Sequence, residues 1–355
     1  MGYALVSLGI ALVPLELTVA TPKRRYNLIA DCVTTLNSVQ IMNAPDRSEP
    51  LPTLKADLHV HSYFSGKTNH VKPLEPMDCY SSPDRIYELA KARGMDLVTI
   101  TDHDSIDGCL HFMNRHPDAQ DFIIGEEVTA RLPEFGCKVH IAVYEIDEAQ
   151  HGEIARLKEN FDDLVQYLRT KEIIHVLNHF FHGFPKRQHA EKFVTKMLHS
   201  FDIFEGLNGA IGTRQNRLIS RVIRMFPQKT LVAGSDSHTL LRLGSCYTAA
   251  AGRTKREFLR SLRCGQVQIF GKNGRCSHIF NDAMGVYLAY FRDIAFRNEV
   301  HTDWSNLKKV RNGLGWATYL PVFFTLSLLY SVLHFRLEDR KHPFYECLFE
   351  GILKS

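Results

Sequence analysis

From residue 55 to about residue 270, short β-rich runs alternate with amphipathic helical patterns, the arrangement that gives βα units and a largely parallel sheet or barrel. The first run, "LKADLHVH", starts at residue 54. Successive strand side chains point to opposite faces, so Asp57, His59 and His61 share one face while Leu58 and Val60 take the other. A helix is predicted over "SSPDRIYELAKARG", with Ser82 as N-cap, Pro83 at the first helical position and Gly94 as the stop; it feeds the strand "LVTIT". Strands "DFIIGEEVTAR" and "KVHIAVYEI" are joined by the Pro/Gly turn "LPEFG", and one charged helix is expected from about Glu148 to Glu172. Strand "IIHVLNH", helix "QHAEKFVTKMLHS", strand "FDIFEGLN", helix "TRQNRLISRVIRMF", strand "TLVAGSDSH" and helix "TKREFLRSLRCG" complete six or seven βα repeats. After "VQIFGKNG" the alternation ends. The chain therefore divides into an N-terminal extension (1–54), a barrel domain (55–274) and a C-terminal helical extension (275–355).

The polar residues fall at the C-terminal sides of the strands: "DLHVH", "TITDHDS", "GEEVT", "KVHIA", "VLNH" and "AGSDSH". In a βα barrel that face assembles the active site, so residues distant in sequence can converge there. Imidazoles and carboxylates without thiolates suit Mn, Zn or Fe(II) in a site that keeps exchangeable water. Two such metals a few ångströms apart can hold a bridging hydroxide as nucleophile and clamp the oxygens of a phosphoryl group. Glu126 and Glu127 sit on opposite faces, and spacing alone does not choose between them.

Composition narrows the field. The 355 residues carry a formal net charge of +4 with no basic run, so no nucleic-acid arm is indicated. Eight cysteines (32, 79, 109, 137, 246, 264, 276, 347) lack any C-x-x-C spacing, which argues for reduced thiols, no thiolate zinc site and a cytoplasmic location. The N-terminal "MGYALVSLGIALVPLELTVATPKRR" is apolar but carries Pro14 and Glu16 and lacks a basic n-region, a poor signal peptide; Met42 is an alternative start. Residues 314–335 lack Asp, Glu, Lys and Arg over 22 positions. That length would span a bilayer and anchor the protein to a membrane; Pro321 and His334 favour instead a helix packed on the barrel.

The series "DLHVHS", "TDHDS", "GEEVT", "VHIA", "NH" and "GSDSH" resembles the PHP (polymerase and histidinol phosphatase) family of metal-dependent phosphoesterases over roughly residues 55–270. The resemblance implies a distorted (β/α)7 barrel with two or three divalent metals. It implies His59, His61, Glu127 and Asp236 on a first metal, with Glu127 bridging to a second held by His140 and His179, and His103 and His238 on a third. The family's G-x-E-x-S/T motif selects Glu127 over Glu126. Glu127, His103 and His238 are the expected catalytic residues, and Lys186, Arg187 and Arg214 the expected phosphate contacts.

The chain departs from the family pattern after H-x-H. Where an Asp or His usually follows, "HSYFSGKTNH" reads Ser65, Gly66, Lys67. Either His70 loops back to replace it, or Lys67 stands there and leaves a two-metal site. Asp102 is expected to support a ligand, Asp104 to cap a helix, and Glu205 to stand behind the ligands. His111, His116, His151, His189 and His199 read as ordinary surface histidines. The expected activity is hydrolysis of a phosphomonoester or nucleotide-type phosphate, with a phosphorylated small molecule or nucleotide as partner. The alternatives are an amidohydrolase-type C–N hydrolase, disfavoured because the bridging position is a glutamate and not a modified lysine, and a non-catalytic ligand-binding barrel.

Overall fold

The computed structural model describes residues 41–42, 53–67, 77–297 and 299–353, all within the unit spanning residues 37–355. The N-terminal apolar segment, including Pro14 and Glu16, lies outside the described residues, as do Cys32 and His70. The chain runs β1 (Ile41–Met42), β2 (Thr53–Asp57), α1 (Pro83–Ala92), β3 (Leu97–Ile100), α2 (Asp107–Arg115), β4 (Phe122–Leu132) and β5 (Cys137–Tyr144). There follow α3 (Glu148–Leu157), α4 (Phe161–Thr170), β6 (Ile174–Leu177), α5 (Ala190–Ser200), β7 (Ile203–Asn208), α6 (Thr213–Ile223) and β8 (Thr230–Gly234). β9 (Cys246–Ala251), α7 (Lys255–Arg263), β10 (Val267–Gly271), α8 (Cys276–Arg292) and α9 (Asn306–Ile352) complete it.

The strands lie side by side in the order β1-β10-β9-β2-β3-β4-β5-β6-β7-β8. The seven strands β2 to β8 curl until the chain beyond β8 meets the chain beyond β2. Val60 and Ser237 form a parallel bridge, and the Asp236 and His61 amides donate to His59 O (2.8 Å) and Ser237 O (3.1 Å). This is the expected distorted barrel, closed at the ligand-bearing end; at the other end β9 runs antiparallel along the free edge of β2. Closure needs a glycine at 234, because a Cβ there would collide with the His59 backbone and Cβ.

Among the barrel strands only β5 is reversed, pairing antiparallel with both β4 and β6. The ligand face therefore lies at the N-terminal half of β5, and His140 is its fourth residue, not a C-terminal one as in the βα expectation. Ser82 caps α1 by accepting from the Arg85 amide, with Pro83 first in the helix, as predicted. The single charged helix expected over 148–172 is two. Asp147 and Gln150 form a capping box for α3, and Asn160 starts α4 afresh by accepting from the Asp163 amide.

The C-terminal extension is helical. α9 runs 47 residues through Pro321 and Pro343, about 70 Å at the α-helical rise. Among the described residues no helix is long and apolar enough to cross a membrane. The 314–335 stretch is not simply a buried helix either, since Leu314, Phe324 and Leu333 are exposed while Ser327 and Ser331 are buried. What ties α9 down is its last part: Tyr345 and Phe349 enter the main core against Phe180, Phe181 and Phe184. Phe349→Ala is expected to lower unfolding free energy by about 3–5 kcal/mol, read from urea titration monitored by circular dichroism.

Candidate metal centre

Glu127 is the hub of the barrel mouth, and its two carboxylate oxygens face different histidines. Oε1 lies 3.2 Å from His59 Nε2, 3.0 Å from His179 Nε2 and 3.4 Å from His140 Nδ1. Oε2 lies 3.5 Å from His61 Nε2 and 3.1 Å from His103 Nδ1. Asp236 Oδ1 stands 3.5 Å from both His59 and His61 Nε2. Glu126 points the other way, to His151 Nδ1 at 2.8 Å, so the pleat puts Glu127 inward as the motif implied. His151 is consequently a partner of a buried carboxylate and not an ordinary surface histidine.

Ligand atoms within 4.8 Å of one another form four overlapping groups. These are His59–His61–Asp236, His59–Glu127–His179, His103–Glu127–His140 and His61–Asp78–His103–His238. All eight residues expected as metal ligands fall in these groups. One grouping differs: His140 and His179 both reach Glu127, but His140 joins His103 and His179 joins His59.

Asp78 is the residue that sequence reasoning missed. Its Oδ2 lies 2.8 Å from His238 Nε2 and 3.6 Å from His103 Nε2. It comes to the site because Lys67 pairs antiparallel with Met77 and the Asp78 amide donates to Gly66 O at 2.8 Å. The carboxylate expected just beyond Ser65 is thus delivered thirteen residues later in the chain. Lys67 lines the cleft next to Asp78 and does not replace it.

The donor set fits metal ions. His59 Nε2, His61 Nε2, His103 Nδ1, His140 Nδ1 and Glu127 Oε2 are buried and make no hydrogen bond of acceptable geometry, although each faces another ligand atom. Such clustered, unsatisfied polar atoms would be costly without a shared cation. Their other sides are fixed. His59 Nδ1 meets Glu205 Oε1 at 2.9 Å, and Glu205 Oε2 accepts from the His179 amide (2.9 Å) and Asn208 Nδ2 (2.8 Å). His61 Nδ1 meets the Ser65 hydroxyl at 3.0 Å, and that hydroxyl donates to Asp102. Asp102 also accepts from the Ser62 amide and hydroxyl, so it supports His61 through the turn. Asn178 Nδ2 donates to Glu127 Oε1 at 2.9 Å. Asp104 is no helix cap; it accepts from the Thr129 amide and pairs with Lys158.

Two residues of these groups, His179 (φ 23°) and Asp236 (φ 52°), take left-handed backbone conformations that non-glycine residues rarely adopt. Neighbouring hydrogen bonds hold them there, strain of the kind found at functional sites. Charge is arranged to match. Burial opposes the His59 imidazolium, but Asp236, Glu127 and Glu205 outweigh it and hold the His59 pKa well above the usual histidine range. Burial, together with His238 and His103, pushes His61 down to about 3. Burial would raise the Glu127 carboxyl, yet His59 and His140 hold it well below the ordinary carboxylate range.

A cleft of about 1070 Å³ opens from this hub between the β4–β5 hairpin and the loop after β6. Lys186 lines it, as expected. Arg187 and Arg214 do not. The Arg187 guanidinium lies over the Phe344 ring of α9, and Arg214 faces Asp339 of α9 at 3.6 Å. Cations that the sequence reading passed over take their place: Arg131 and Lys138, register partners across the hairpin, stand on the same face as Glu127 and His140. His182, exposed at the rim beside His140 and His179, was also missed.

Residues 214–267 match the family model described as PHP-associated. That segment contains Asp236 and His238, two of the ligand residues that the geometry converges on. Over that segment the chain is similar to PHP-associated proteins. Over 76 residues it is 34% identical to an uncharacterised protein of Methanocaldococcus jannaschii, covering 21% of this chain and 44% of that relative, so less than half of the relative's length is spanned. Among solved structures it is similar to a two-domain protein of Bacteroides vulgatus with a predicted PHP-like metal-dependent phosphoesterase (16% identity, 65% of this chain, 70% of the other, TM-score 0.44). It is also similar to PsfC of Pseudomonas syringae (18%, 62% and 92%, TM-score 0.45) and to an amidohydrolase of Chromobacterium violaceum (15%, 52% and 87%, TM-score 0.39).

Glu205 is expected to matter for the centre without touching a metal. Glu205→Gln should weaken metal retention by about 10- to 100-fold, measured by chelator competition, while the circular dichroism spectrum stays unchanged.

Proposed function

We propose that this protein is a phosphoesterase of the PHP type that hydrolyses a phosphomonoester or nucleotide-type phosphate. The observation that carries the reading is the Glu127 carboxylate facing five imidazoles within 3.5 Å, at the end of a cleft lined by Lys138 and Lys186. His59, His61, Glu127 and Asp236 would hold one divalent metal, Glu127 with His140 and His179 a second, and Asp78, His103 and His238 a third. When bound, such ions supply Lewis acidity toward phosphoryl oxygens and make water nucleophilic at neutral pH. Among the described residues Lys138 and Lys186 have no ion-pair partner, and they attract and orient the phosphate dianion. His103 and His238 are about a quarter exposed, whereas His59 and His61 are buried, so the former would be the histidines that a leaving oxygen could reach.

The amidohydrolase alternative gains nothing from the site, because the group joining the ligand sets is the Glu127 carboxylate. The test is phosphate release from a panel of monoesters by protein loaded in turn with Mn, Zn and Fe(II), with cyclic amides assayed alongside. Monoester turnover that is lost with chelator supports the reading; turnover of amides alone overturns it.

A further inference from the structure

The ligand cluster has a second opening, away from the cationic cleft. A cavity of about 230 Å³ is walled on one side by Asp78, Asp236 and His238 and on the other by Ile279, Ala283, Val286 and Tyr287 of α8. Those four positions follow the i, i+4, i+7, i+8 spacing, so they form a single stripe on one helix face. The stripe is tied to the centre. The Thr239 hydroxyl donates to Asp282 Oδ1 at 2.8 Å, and Arg242 Nε lies 3.6 Å from Asp282 Oδ2. Because Thr239 directly follows His238, the helix wall is anchored one residue from a ligand.

We propose that this cavity receives an apolar, ring-sized ester group of the substrate, making α8 the element that selects aryl or similarly apolar phosphomonoesters over small polar ones. The inference rests on the phosphoesterase reading and adds the substrate class. Asp78, Asp236 and His238 would hold the metals that bind the phosphoryl group, and because these residues line the cavity together with α8, the ester substituent would face into it. A polar substituent would there exchange water for a wall of mainly apolar side chains, because Asp282, the carboxylate of that wall, is already engaged by Thr239 and Arg242. The size also fits, since a cavity of about 150 Å³ already holds benzene. The reaction stays a hydrolysis: water adds to phosphorus, the P–O ester bond breaks, and the ester oxygen leaves as the alcohol with a proton taken from that water.

The test is calorimetric binding of phenylphosphonate and methylphosphonate, neither of which can be hydrolysed, to the metal-loaded full chain. The natural chain should bind phenylphosphonate about tenfold or more tighter than methylphosphonate. Ala283→Phe, which fills the cavity, should erase that difference while methylphosphonate affinity stays within about twofold. Val286→Asn should give the same loss through polarity in place of volume. Equal affinities in the natural chain, or a preference that survives both substitutions, would overturn the proposal. If no monoester is turned over while the phenyl preference holds, the phosphoesterase reading fails and the apolar subsite stands.

Discussion

Glu127→Gln is expected to lose metal and hydrolysis together. The substitution keeps size and shape but removes the charge that faces His59, His179 and His140 through Oε1 and His61 and His103 through Oε2. An amide nitrogen is a donor and cannot ligate as a carboxylate oxygen does. Losing metal stabilisation worth several kcal/mol corresponds to a rate lower by about a thousandfold or more. Glu126→Gln is the matched control, since that side chain faces His151 on the opposite side of β4. Elemental analysis and phosphate release on both variants decide the matter. Equal metal content in the two would refute the bridging role.

Asp78→Ala is expected to remove about one metal per chain and leave the other two. Asp78 is the carboxylate between His103 and His238, and without it that corner retains imidazoles alone. Activity should fall with the lost ion. The loss should be partly restored by raising free metal, because His61, His103 and His238 remain in place. Unchanged stoichiometry would mean that His103 and His238 serve the second metal and that Asp78 only pairs with His238.

Much of the centre could be read from the chain because its ligands sit in short strand-end motifs whose alternation fixes which face they occupy. His59 and His61 are two residues apart on one face, and Glu127 was separated from Glu126 by a motif before the pleat showed it. What escaped had physical reasons. The reversal of β5 leaves no local mark, since β4 and β5 read as a hairpin and pattern does not reveal which end faces the mouth. Asp78 was missed because a backbone bridge between Lys67 and Met77, not sequence proximity, brings it to Gly66. Arg187 and Arg214 were misplaced because α9 folds back over α5 and α6, a long-range contact that draws both side chains to its own Phe344 and Asp339. The role of α8 was invisible for the same reason: its apolar stripe reads as core until the cavity beside the ligands is seen.

The most direct test of this account is metal content per chain, by elemental analysis of protein purified without chelator and then reconstituted with Mn, Zn or Fe(II). The three proposed ligand sets predict close to three equivalents, retained through gel filtration. Protein that stays metal-free after reconstitution, with its fold intact, would contradict the claim that Glu127 and its histidines form a metal centre.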